Sequence, residues 1–145
     1  MQGWLIGSQI FIALLVAAVG WYFAHQQTKI AKAKLRLDLF DKRFAVFNAT
    51  RSLMGAATAH GNVTNEEELA FLVGTIDTEI LFDDELAAYI TEIRRHVGVL
   101  QAHNAMAKGP EVGKAEIGRL KEVQWFSAQI DALSEKFKPF LKLDG

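Results

Sequence analysis

With 145 residues the chain is long enough for one compact domain, and a hydrophobic fraction of 50% with only two prolines argues against disorder. The net charge of −1 and a pI near 6.4 provide no overall basic surface of the kind that nucleic-acid-binding domains carry. Cysteine is absent, which excludes a disulfide framework and fits a reducing compartment.

The N-terminal segment is strongly apolar and predicts a membrane anchor. The first 28 residues contain no Asp, Glu, Lys or Arg, and 17 of the 21 residues from Trp4 to Ala24 are apolar. A helix of that length spans roughly 32 Å, close to the hydrocarbon thickness of a bilayer. A cleaved signal peptide is the alternative, but no basic residue precedes the run, which is also longer than a typical signal-peptide core.

Basic residues lie on one side of this anchor only. Residues 1–24 contain no Lys or Arg, whereas residues 25–51 contain seven. The positive-inside bias therefore predicts a transmembrane anchor at 1–24 with its N-terminus outside, and a cytoplasmic domain at 25–145. The basic residues nearest the bilayer set this topology, contact anionic lipid, or do both; they are Lys29, Lys32, Lys34 and Arg36.

Small residues and one amide recur along the anchor at a spacing of 4-4-3-4, which places them on one face of a helix. The residues of this face are Gln9, Ala13, Ala17, Gly20 and Ala24. Small side chains let helix backbones approach closely, and a Gln can hydrogen-bond across such a contact. The pattern predicts self-association of the anchor, and the alternative is an Ala-rich surface facing lipid.

The segment after the anchor alternates polar and apolar residues at 34–39, as a half-buried strand would. A wider window favours a helix, because apolar residues fill seven of the eight successive a and d positions between residues 30 and 54. Leu39, Val46 and Leu53 add a second row beside that stripe. The apolar face is wider than a two-stranded coiled coil needs and suits a helix packed in a bundle.

Arg51 occupies the one position of the stripe that is not apolar. Residues 61–85 hold eight acidic residues and no Lys or Arg, so the next helix offers partners such as Asp77 or Glu79. We therefore expect Arg51 to form a buried ion pair that fixes the register of the two helices. A side chain that snorkels to solvent and a switchable contact are the alternatives.

Three further helices follow in the sequence. Thr64 with Glu67 three residues later forms a capping-box pattern, and a stripe of Leu69, Leu72, Ile76 and Ile80 follows it. Asp83 or Asp84 is placed to cap a third helix, and a fourth runs from about Lys114 until Pro139 stops it. The predicted fold is all-α: an N-terminal transmembrane helix that continues into a cytoplasmic antiparallel bundle of about four helices.

The run KLRLDLFDKRFAVFNATR at 34–51 resembles a motif found just after the transmembrane helix of small, uncharacterised bacterial single-pass inner-membrane proteins. Two weaker stretches of the same layout are LFDDE at 81–85 and FKPFL at 137–141. The resemblance implies a helical cytosolic domain anchored in the bacterial inner (plasma) membrane. It implies no activity, so no functional residue follows from it.

Motifs for catalysis and cofactor binding are absent from the sequence. There is no P-loop, GxGxxG, GxSxG or Cys/His ligand cluster, so we predict no enzyme, no cofactor, no metal and no small-molecule substrate. Glu92 and His96 lie four residues apart, but without an HExxH pattern a solvated helix face is the expected structure. Nucleic acid is not an expected partner, because Phe40, Phe44 and Phe47 belong to the buried stripe.

The function predicted from these features is that of a membrane-anchored helical interaction or scaffold module. Its expected partners are the lipid bilayer, further copies of the chain and a protein of unknown identity. The alternative is a membrane-acting effector whose transmembrane helices assemble through Gln9 and the small-residue face and perturb the bilayer.

Overall fold

The computed structural model describes the backbone of residues 2–110 and 112–142 and the side chains of residues 11–110 and 112–142. Every regular element in this part of the chain is an α-helix, so the predicted all-α class is confirmed. The helices are α1 (Gln2–His60), α2 (Asn65–Gly74), α3 (Thr78–Leu81), α4 (Asp84–Met106) and α5 (Val112–Phe137).

The chain divides into two compact units, Met1–Asp38 and Leu39–Gly145. In the first unit, polar groups follow the apolar run. The Trp21 ring stacks on His25 with 5.9 Å between centroids, and the Thr28 hydroxyl donates to the His25 carbonyl oxygen at 2.8 Å. Among the residues whose side chains are described, no helix has a stretch long and apolar enough to cross a membrane. The start of the predicted anchor, residues 4–10, lies outside that part of the chain.

In the second unit, α1 contributes to a core shared with the other helices. Its buried residues include Val46, Thr50, Leu53 and Ala57, at spacings of four, three and four. They pack with apolar residues of the later helices, among them Phe71, Ile93, Leu100, Phe126 and Phe137. Thr50 is accommodated because its hydroxyl donates to the Val46 carbonyl oxygen at 2.8 Å. Val46 and Leu53 of the second predicted row are therefore buried together with Met54 of the first, whereas Leu39 and Phe44 are exposed.

Arg51, a member of the first predicted row, lies outside the core. It lies roughly 120° around the helix from the centre of the buried row, given 100° per residue. Its side chain is exposed, so the prediction of a buried ion pair at this position is wrong. Met54, the next position of the same row, is buried, so this row lies along the edge of the buried surface and only some of its members reach the core.

The predicted capping residues are confirmed at two helix starts. The Thr64 hydroxyl accepts from the Glu67 amide at 3.2 Å, while the Glu67 carboxylate accepts from the Thr64 amide at 2.8 Å. The Thr64 amide and the Thr64 hydroxyl both donate to the Glu67 carboxylate, which lowers the pKa of this carboxyl below its ordinary value because the bonds favour its charged form. At the start of α4, Asp83 accepts from the Leu86 amide at 2.9 Å.

The predicted second helix is interrupted after Gly74 and continues as the short α3. At the interruption, the Thr75 hydroxyl donates to the Phe71 carbonyl oxygen at 2.8 Å, and the Thr78 hydroxyl donates to the Thr75 carbonyl oxygen at 2.6 Å. Glycine favours such a break because it loses more backbone entropy in a helix than other residues. Threonine favours it because its hydroxyl competes for backbone hydrogen bonds. The result is two short helices where the sequence predicted one.

Gly61 ends α1 with φ of 59°, the left-handed conformation that glycine adopts without a Cβ penalty. A Cβ at this position would also collide with the guanidinium group of Arg119. We expect Gly61→Ala to lower the free energy of unfolding by about 1–2 kcal/mol. Urea unfolding of the full chain in detergent, followed by circular dichroism, measures the change.

Gly55 supplies the matched control for that substitution. It lies inside the same helix, and a Cβ there would meet nothing within 4 Å. Gly55→Ala should therefore raise the free energy of unfolding by about 0.5–1 kcal/mol through helix propensity. A loss of stability from both substitutions would contradict the assignment of Gly61 as a conformational requirement.

Candidate interaction surface

Four large aliphatic side chains are exposed in a line along α2 and α3. They are Leu69, Val73, Ile76 and Ile80, with 61%, 65%, 78% and 84% of their surface accessible, and we call them the α2–α3 face. Their spacing of four, three and four residues is that of one side of a helix. The line continues across the interruption between the helices. There the Ile76 amide donates to the Val73 carbonyl oxygen in an i to i+3 bond, which places residues three apart on the same side.

The core-facing side of the segment from α2 to α3 mixes apolar and polar residues. Its buried residues are Phe71, Thr75, Thr78 and Leu81, and the two threonines are only 9% and 4% accessible. An apolar stripe on a helix of a bundle ordinarily faces the core, and the stripe in the sequence consists of Leu69, Leu72, Ile76 and Ile80. Of those four, only Leu72 packs against the core. Burying two hydroxyls while exposing four aliphatic side chains is unfavourable for an isolated domain, and such conflicts are expected at functional sites.

A groove runs beside the α2–α3 face, between these helices and α4. Its cavity has a volume of about 370 Å³, and apolar groups from Phe71, Leu72 and Ile90 contribute to its lining. The charged residues along it are Glu79 on the α3 side and Arg94 on the α4 side. Glu66 on α2 and Asp77 between the two helices are also exposed, so the surroundings of the face are predominantly acidic.

The predicted small-residue face is described in part. Gln9 lies outside the residues whose side chains are described. Ala13, Ala17, Gly20 and Ala24 are all exposed in the helical first unit, where their spacing places them on one side. Gly20 has open space beside it, because a Cβ there would meet nothing within 4 Å. Self-association through this side stays a prediction.

The predicted lipid-contact residues also lie in α1 of the first unit. Lys29, Lys32, Lys34 and Arg36 are all exposed there. Exposure is what a contact with lipid headgroups requires, but it serves equally for residues that only set topology. Both interpretations stay open for these four side chains.

The three stretches that carry the family resemblance meet around Arg43. Its Nε donates to the Leu81 carbonyl oxygen at 3.0 Å, and its Nη1 donates to the Phe140 carbonyl oxygen at 3.3 Å. The guanidinium carbon lies 5.9 Å from the ring centroid of Phe82 and 5.6 Å from that of Phe140. We call this set of contacts the Arg43 clasp. It connects α1, the end of α3 and the segment after α5, and its role is structural.

The expectation that Glu92 and His96 lie on a solvated face is wrong for His96. Its ring is mostly buried and stacks on Trp125 with 3.6 Å between centroids. Its Nδ1 lies 2.6 Å from a carboxylate oxygen of Glu122, and its Nε2 lies 2.8 Å from Nη2 of Arg95. Nδ1 therefore carries the proton that the carboxylate accepts, and Nε2 accepts from Arg95.

This pair was missed because Glu122 lies on α5, and no local pattern in the sequence indicates which residue of one helix faces which residue of another. A carboxylate that orients an imidazole is half of a catalytic triad arrangement. Here the second ring nitrogen is engaged by Arg95, and no nucleophilic side chain contacts it in the described part of the chain. Within the same residues, no group of three His, Asp or Glu side chains is placed to hold a metal ion. The pair joins α4 to α5.

Two further cavities are lined by groups that already serve the fold. At the turn between α1 and α2, a polar cleft of about 760 Å³ is bordered by Asn104, whose amide donates to the Gly61 carbonyl oxygen at 3.1 Å. A cavity of about 260 Å³ lies between the start of α4 and the end of α5, beside Tyr89 and Lys136. Burial raises the pKa of Tyr89 to about 12, with a smaller contribution from Glu92. The Lys136 ammonium lies 4.8 Å from the centroid of the Tyr89 ring.

Removing the Arg43 side chain tests the clasp. We expect Arg43→Ala to lower the free energy of unfolding by about 2 kcal/mol, because two carbonyl groups lose a charged donor. Arg43→Lys should recover only part of this loss, since one ammonium lacks the planar fork that reaches both oxygens. The exposed neighbour provides the control: Lys42→Ala should change stability by no more than about 0.5 kcal/mol. Equal urea midpoints for the two alanine variants would show that the clasp contributes nothing.

Known proteins provide no relative with which these features can be compared. No protein-family model matches the chain, and no curated protein or solved structure is significantly similar to it. The resemblance to small bacterial inner-membrane proteins therefore stays a prediction. The features of the chain that bear on its function are the α2–α3 face and the apolar first unit.

Proposed function

We propose that the chain is a membrane-anchored helical interaction module that binds another protein and has no catalytic activity of its own. Residues 4–24 hold it in the bacterial inner membrane, and residues 39–145 form the cytoplasmic binding unit. The observation that carries the proposal is the pattern of α2 and α3, where aliphatic side chains face outward and threonines face the core. A partner that covers Leu69, Val73, Ile76 and Ile80 would remove this conflict.

The anchor is supported by the apolar composition of residues 4–24 and by the exposure of its described side chains. Large apolar side chains at 11–24 are exposed; they are Phe11, Ile12, Leu14, Leu15, Val16, Val19, Trp21, Tyr22 and Phe23. A bilayer offers these side chains the environment that they lack in water. Lys29, Lys32, Lys34 and Arg36 follow at the membrane surface, where contact with anionic lipid adds to the attachment.

Site-specific photo-crosslinking in cells tests the binding face. A benzophenone amino acid at position 76 is expected to form a discrete protein adduct in the membrane fraction. The same residue at position 117 is the control, because Ile117 is a comparably exposed aliphatic residue on α5. Adding Leu69→Ser and Val73→Ser should abolish the adduct from position 76, since these changes remove neighbouring apolar surface. Equal adduct patterns from 76 and 117, or none from 76, would refute the proposed function.

Self-association through the anchor is the second part of the proposal. The side of α1 that carries Ala13, Ala17, Gly20 and Ala24 presents little side-chain bulk, which lets a second helix approach. If the assembled helices perturb the bilayer, the chain acts as a membrane effector, and induction of its expression should collapse the membrane potential. An unchanged potential favours the interaction module.

A pair of adjacent alanines tests this part. Ala17→Leu is expected to reduce crosslinked oligomers in native membranes several-fold, because the larger side chain keeps the backbones about one side-chain layer apart and costs roughly 1–2 kcal/mol. Ala18→Leu makes the same change in hydrophobicity about 100° around the helix and should have no effect. If both variants, or neither, change the oligomer yield, the small-residue face is not the contact.

A further inference from the structure

We infer that the partner of the α2–α3 face is a basic amphipathic helix of another protein. The inference rests on the proposed function and adds the chemistry of the partner. It follows from three properties of the surface: the linear arrangement of its aliphatic residues, the adjoining groove, and the sign and position of its charges.

The shape of the surface fits a helix. The α2–α3 face runs from Leu69 to Ile80, eleven steps along the chain or roughly 16 Å at 1.5 Å per residue, which is about three turns of a partner helix. The groove of about 370 Å³ lies directly beside it, and Ile76 belongs to both. A helix laid along this surface would insert side chains spaced i, i+3 or i+4, and i+7 between the exposed aliphatic residues and the groove, as in helix-in-groove recognition.

The charges of the surface indicate that the partner is positively charged. Glu66, Asp77 and Glu79 are exposed in the same segment, residues 65–81, as the four aliphatic side chains. Residues 61–85 contain eight acidic residues and no Lys or Arg to offset them. Lysine or arginine residues that flank the apolar stripe of a partner would complement these carboxylates, speed the association and fix its orientation.

The groove also predicts how the partner helix is rotated about its axis. Glu79 lines the groove on the α3 side, whereas Arg94 lines it on the α4 side. The basic flank of the partner therefore lies over α2 and α3, and the flank above α4 is polar or acidic. A helix that is basic on both flanks would place one of its cations against Arg94.

The same charges oppose the two other occupants. If the face paired with itself in a second copy, carboxylates of Glu66, Asp77 and Glu79 would meet like charges across the contact. An anionic lipid surface would repel them as well, because its own potential is negative. A basic helix is the occupant for which both the apolar and the charged parts of the surface are satisfied.

Peptide binding to the full chain in phosphatidylcholine nanodiscs tests the inference, with empty discs as the reference. The probe is a synthetic helix of leucine and lysine, with leucines at i, i+3, i+4 and i+7, and its counterpart carries glutamate for every lysine. We expect the lysine peptide to bind and the glutamate peptide not to bind. Asp77→Lys with Glu79→Lys should weaken binding of the lysine peptide by about tenfold or more. Ile76→Ser with Ile80→Ser should have an effect of similar size.

Matched variants on α5 serve as controls. Asp131→Lys with Glu135→Lys makes the same change in charge at exposed positions, and Ile117→Ser with Leu120→Ser removes exposed aliphatic groups. Both should leave the affinity within about twofold of the original, since they lie outside the surface. Circular dichroism of each variant verifies that the helices are retained, which exposed substitutions should not alter.

Several results would overturn the inference. These are failure of the lysine peptide to bind, equal binding of both peptides, or an affinity that the Asp77 and Glu79 substitutions leave unchanged. Self-association of the chain alone, lost in the Ile76→Ser and Ile80→Ser variant, would assign the face to a second copy. Binding to phosphatidylserine vesicles with the same sensitivity would assign it to lipid. In each case a protein adduct from position 76 would preserve the proposed function, and its absence would remove both.

Discussion

The second unit depends on one side chain that donates to two distant backbone carbonyl groups. Arg43 reaches the Leu81 carbonyl at the end of α3 and the Phe140 carbonyl after α5, and it lies near two phenylalanine rings that pack edge to face at 5.2 Å. The Leu81 carbonyl is at the end of α3, where no further turn of helix satisfies it, and the Phe140 carbonyl lies beyond the end of α5. A single cation thus fixes where α3 ends and where the chain after α5 returns to α1. The position of α3 in turn determines what the α2–α3 face presents to solvent.

The hydrogen bonds of α2 and α3 explain how an unfavourable pattern is maintained. The hydroxyls of Thr75 and Thr78 donate hydrogen bonds to backbone carbonyl oxygens within the same segment, so their burial leaves no hydroxyl unsatisfied. The core therefore loses hydrophobic area but gains no unpaired polar group. The only unfavourable term is then the hydration of the exposed aliphatic row, and a partner that covers this row removes it on binding. A surface built in this way favours association without requiring the unit to refold.

The sequence predicted the local features of the helices well. It predicted less well which side of each helix points into the core. Thr64, Glu67 and Asp83 were identified as caps, because a capping box depends only on residues three apart. The row that faces the core was misassigned at Arg51, because two apolar rows compete on α1 and only the packing of other helices decides between them. The pairing of His96 with Glu122 was invisible for the same reason. The anchor prediction rests on composition alone, and its first residues lie outside those that the structure describes.

The Arg43 clasp also constrains the order in which the unit can be completed during synthesis. Its two ends, Arg43 and Phe140, are separated by 97 residues, and ribosomes add about 5–20 residues per second. The interval between the two is therefore roughly 5–20 s, far longer than a helix needs to form. Throughout that interval α1 exists without its last partner, so the rings of Phe47 and Phe82, which both pack on Phe137 in the folded chain, are uncovered in the nascent chain. A chaperone or the membrane surface itself has time to occupy them before the tail closes the bundle.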